Sequence, residues 1–150
     1  PILYPDPSGA DSTQRAQAIQ RAQEFVGKNP GNSYGFDEEN SSPKPGETVD
    51  CSGLAAMCMV AGGEADARWA KGATGNGVRR IADNTETIDA SMVEIGSFVI
   101  LDNSDSGKDN PYGHMGIITG VDFDADGNIT NLTMADSGGK PSSGKSGPRN

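Results

Sequence analysis

The chain is 150 residues long, enough for one domain with a packed core and too short for two comfortable ones. Apolar residues make up only 33% of it, while 21 glycines and 9 prolines point to long turns around a modest core. With 21 acidic against 12 basic side chains, the formal charge of −9 offers no basic footprint for nucleic acid, and no apolar run reaches the length of a membrane span.

Residues 1–11, "PILYPDPSGAD", read as an extended leading segment punctuated by Pro and Gly. No signal-peptide pattern opens at Pro1, so export is expected through a larger carrier or by another route. Asp11 or Ser12 can cap a helix running to about Val26. Ala18, Ile19, Ala22, Phe25 and Val26 share one face of it, and Gly27 with Pro30 stops it. A polar, Pro-rich loop covers 31–47. A second helix opens at Cys51 and ends at Gly62-Gly63. Residues 64–90 carry no clear period, apart from a short helical stretch at Val78–Ala82. "GSFVIL" (Gly96–Leu101), "HMGIITGV" (His114–Val121) and "ITNLTMAD" (Ile129–Asp136) read as strands, the last two joined by the tight turn "DADGN". Residues 137–150 are Gly, Ser, Lys and Pro and read as a flexible tail. Helices first and an antiparallel meander afterwards define an α+β domain over 12–136.

Chemistry is sparse, because the chain has two cysteines and one histidine. Cys51 and Cys58 are seven positions apart on one helix, which places their Cα atoms ~10.5 Å apart and outside disulfide reach. A structural zinc site is nearly excluded by the same count. A thiol becomes a nucleophile as the thiolate, which a helix N-terminus and a nearby imidazole both favour. Cys51 stands at a helix start, and its N–H is free to hold an oxyanion. His114 opens a strand. Alternation sets Asp136 at the end of the apolar row Leu132, Met134, where a buried carboxylate needs a partner and His114 can serve.

Taken singly, each residue has an ordinary explanation: a cysteine as a small core residue, a histidine at the surface, Asp136 before "SGG" in an Asx turn. Cys58, between Met57 and Met59 in mid-helix, is assigned to the core. The combination "DCSGL" (Asp50–Leu54) with "GHMGIITG" (Gly113–Gly120) resembles the two signature segments of the NlpC/p60 cysteine peptidases. The helix "AQAIQRAQEFVGKN" before a Tyr-Gly loop and the strand "IGSFVIL" are similar to that family's layout, from about Ala16 to Asp136.

The resemblance implies a papain-like fold and thiol hydrolysis of amide bonds in bacterial peptidoglycan stem peptides, with no cofactor. It makes Cys51 the nucleophile and His114 the base. The third position, often His, Asn or Gln in the family, is Asp136 here. Tyr34, Asp50 and Ser52 become substrate-binding positions, with a plain helix-cap role for Asp50 equally open. The same dyad also suits deamidation, transglutamination or acyl transfer on protein or lipid, and a non-catalytic binding module of a surface protein is the alternative from another class. A monomer is expected.

Two further segments stand out. Asp122, Asp124 and Asp126 begin a D-x-D-x-D-G calcium-loop pattern, but the twelfth position is Thr133 and the flanks are strands, so a hairpin turn is favoured. "PILYPDPSG" resembles the segment that closes the core of Rhs and YD-repeat proteins before a C-terminal toxin. That likeness implies an antibacterial toxin tip delivered by a carrier to the target cell's envelope, with a dedicated immunity protein as partner.

Overall fold

The computed structural model describes residues 2–3, 5–6, 12–26, 44–47, 49–62, 78, 81, 86–102, 112–138 and 147–149. Two helices, α1 (Ser12–Phe25) and α2 (Cys51–Ala61), precede the long strands β4 (Phe98–Asp102), β5 (Tyr112–Phe123) and β6 (Ile129–Gly138). Short strands complete two sheets: β1 (Ile2–Leu3), β2 (Pro5–Asp6), β3 (Glu86–Thr87) and β7 (Gly147–Arg149). The larger sheet has five strands in the order β1-β4-β5-β6-β7, and β2 pairs with β3 in a separate ribbon. Every pairing among the described residues is antiparallel. The molecule is thus α+β, as the order of elements in the sequence implies.

Period-two alternation divides the sheet between two apolar clusters. Phe98, Ile100, Met115, Ile117 and Ala135 pack with α1 and α2, while Val99 and Ile118 join Val93 on the other side, flanked by Leu101, Leu132 and Met134. The unbroken run "FVI" in β4 is therefore apolar because both faces of the strand are covered.

Helix α1 buries Ala18, Ala22 and Phe25, the stripe visible in its sequence, with Ile19 and Val26 packed beside it. Helix α2 has apolar or small residues on nearly all sides, since Cys51, Ser52, Leu54, Ala55, Ala56, Cys58 and Met59 are all buried. A helix apolar all round belongs in the interior. It packs against α1 and against β5 and β6.

The leading segment, read as an extended entry segment or linker, pairs Ile2 and Leu3 with Leu101 and Ile100 and so covers one edge of β4. The flexible tail expected from residue 137 does not hold for Ser137 and Gly138, which lie in β6, or for Gly147–Arg149, which pair with Asp136–Gly138. Glycine-rich composition gave no apolar alternation by which to read this short strand. Val78 and Ile81 are helical and buried, in line with the short helix read there.

Candidate active site

The start of α2 is built by four consecutive residues. Asp50 is extended (φ −91°, ψ −179°) and caps the helix, its Oδ1 accepting from the Gly53 N–H at 2.7 Å and from the Ser52 hydroxyl at 3.2 Å. Burial pushes the Asp50 carboxyl above its ordinary range, against the pull of these hydrogen bonds. Gly53 is required by contact rather than by backbone angle. A Cβ there would stand 2.8 Å from Asp50 Oδ1 and 2.9 Å from Val49 Cγ2. The first helical backbone bond runs from the Leu54 N–H to the Asp50 carbonyl at 3.0 Å. Helix geometry thus leaves the Cys51 and Ser52 N–H groups without an intrahelical acceptor.

Cys51 is 6% exposed and is a free thiol. His114 lies near the start of β5, its side chain 24% exposed, and its Nε2 is hydrogen-bonded to Asp136 Oδ2. Cys51 stands close enough to the ring to act on its charge. With Nε2 engaged by Asp136, Nδ1 is the nitrogen left for the sulfur. The bond to Asp136, then the neighbouring Cys51, raises the His114 pKa from 6.5 to about 9 against the opposing effect of burial. At neutral pH the ring is therefore a cation, and its Nε2–H donates to the carboxylate.

Asp136 is 3% exposed, at the end of the row Leu132, Met134. Gly116 gives it room. A Cβ on Gly116 would meet the Ala135 carbonyl oxygen at 2.7 Å, the Met134 sulfur at 3.1 Å and Asp136 Cβ at 3.2 Å.

The structure thus brings Cys51 up to the hydrogen-bonded His114–Asp136 pair, with Asp50 and Ser52 beside Cys51 at the cap. Ser52 is 3% exposed and turned to Asp50. Tyr34 lies outside the described residues. Cys58 is fully buried, and burial pushes its thiol up to about 12, which keeps it a neutral core residue.

Asp122 lies near the end of β5, and Asp124 and Asp126 sit in the turn to β6. There Asp124 Oδ1 accepts from the N–H groups of Asp126 and Asn128, both at 2.9 Å, and Gly127 takes φ +83°. Asp124 thus serves the turn, and among the described residues no group of three or more His, Cys, Asp or Glu converges to hold a metal. Among these residues, too, no helix is long and apolar enough to cross a membrane.

Sequence reading missed Ser137. Expected in the flexible tail, it is a fully buried strand residue whose Oγ donates to the Val49 carbonyl at 2.7 Å. Nothing local in "DSGG" signals this, because the acceptor lies 88 positions away. Comparison of the chain with protein-family models, with curated proteins and with solved structures gives no match.

Proposed function

We propose that the protein is a thiol hydrolase in which Cys51 is the nucleophile, His114 the proton carrier and Asp136 the group that orients the imidazole. The observation that carries this reading is the chain Asp136–His114–Cys51 ending at the N-terminus of α2. There the sulfur stands beside the imidazole and the N–H groups of the helix start, the setting a thiol nucleophile needs. More particularly, we place it with the papain-like NlpC/p60 peptidases, as an endopeptidase or amidase acting on bacterial peptidoglycan stem peptides. The "DCSGL" and "GHMGIITG" segments support that choice.

In the first half-reaction the Cys51 thiolate attacks the amide carbonyl carbon. A C–S bond forms, and the oxygen takes up the electron pair beside the Cys51 N–H. The intermediate collapses, the C–N bond breaks, and His114 gives its proton to the leaving amine. In the second half, neutral His114 takes a proton from water, and the oxygen attacks the thioester. The acid product departs as Cys51 regains its thiolate. Asp136 holds the ring by Nε2 throughout. The Rhs-like leading segment supports delivery as an antibacterial toxin to the target envelope, with an immunity protein as its partner.

The test is digestion of purified peptidoglycan with the products identified by mass spectrometry. Cys51→Ala and His114→Ala are each expected to abolish release of new amine termini while leaving the circular dichroism spectrum unchanged. Release by either variant at the unaltered rate sinks the mechanism. Products transferred to an amine rather than to water would move the chemistry to acyl transfer.

A further inference from the structure

Cys51 and the His114–Asp136 pair belong to different layers, and the packing between those layers is apolar. Apolar contact brings surfaces together without fixing how one slides along the other, whereas a buried hydrogen bond is directional in both distance and angle. Ser137 supplies such a bond. It follows Asp136 in β6, and Val49, whose carbonyl it holds at 2.7 Å, directly precedes the cap Asp50. Alternation separates the roles of the two neighbours, so that Asp136 serves His114 while Ser137, fully buried, turns to the segment that launches α2.

We infer that Ser137 is a positioning residue: its hydroxyl, by holding the Val49 carbonyl, sets where Cys51 at the start of α2 stands relative to the His114–Asp136 pair. The inference rests on Cys51 being the nucleophile. It assigns to Ser137 no contact with substrate.

The experiment reads the two halves of the site separately in folded protein. Iodoacetamide alkylation at neutral pH is followed on the Cys51 peptide by mass spectrometry, and His114 is titrated by NMR. In Ser137→Ala the His114 titration stays well above its ordinary value, since Asp136 remains in place, while Cys51 alkylation slows by about tenfold or more, the scale of a small misplacement of a reacting group. Alkylation within about twofold of the unaltered protein overturns the assignment. So does a His114 titration that falls together with the rate, which marks a generally loosened site.

Should Ser137→Ala fail to fold, Ser137→Thr and Ser137→Val compare one shape with and without the hydroxyl. Fast Thr with slow Val supports the inference, and equal rates overturn it. Failure of the nucleophile reading looks different: unaltered Cys51 would then react no faster than in His114→Ala.

Discussion

At His114, the neighbours decide the charge. Asp136 and Cys51 together hold its pKa at about 9, so the ring is protonated across the neutral range. Because the folded value lies above the ordinary 6.5, folding favours the protonated ring. The stabilisation is complete below pH 6.5 and disappears as pH rises through about 9. Its scale is on the order of 3 kcal/mol for a shift of this size. Urea unfolding should therefore show stability falling from pH 6.5 to above 9, and Asp136→Asn should flatten most of that slope. The same variant should bring the His114 titration down toward 6.5 in an NMR experiment. A titration left near 9 without the carboxylate would mean that the Asp136 bond is not the main cause.

At the scale of the element, the N-terminus of α2 sets two rules against each other at Gly53. Intrinsic propensity favours Ala over Gly in a helix by about 1 kcal/mol. The contact argument says the opposite, since a Cβ would press on the Asp50 carboxylate that caps the helix, at 2.8 Å. The contact should win. Gly53→Ala is expected to lower stability by about 1 kcal/mol, the usual worth of a cap, and Asp50→Ala by a similar amount. Asp50→Asn keeps an acceptor oxygen and should cost less. Thermal unfolding of the three variants checks this, and a Gly53→Ala protein more stable than the parent would mean that the cap yields to the methyl group. As a string of letters "DCSG" is a motif; the geometry makes its glycine and aspartate one steric and hydrogen-bonding unit.

At the scale of the molecule, the core lies where β4 and β5 are covered on both faces, with Ile100, Met115, Ile117 and Ile118 fully buried. Local opening follows burial and element length. Amide exchange should be slowest at Val99, Ile100, Ile117 and Ile118 and fastest in the two- and three-residue strands β1, β3 and β7. Slow exchange in β7 equal to that of β5 would show that the C-terminal strand folds as part of the core.

The same contrast separates what was legible in the chain from what was not. Both helices, the three long strands and the α+β order follow from the sequence, because a period of 3.6 or 2 in apolar residues is a local property of contiguous chain. The pairing expected of Asp136 with His114 was also within reach, as alternation set a carboxylate at the end of an apolar row. Strands β1 and β7 were not. Both are two- or three-residue strands, too short to show a period, and β1 pairs with a strand almost 100 positions away. Nor was Ser137, whose acceptor on Val49 is brought to it only by the packing of α2 on β6. Sequence by itself determined the two long helices, the three long strands and which side chains are candidates for chemistry. Only the tertiary structure decided which of them meet, since contacts between remote segments depend on register and layer packing, and no local pattern encodes either.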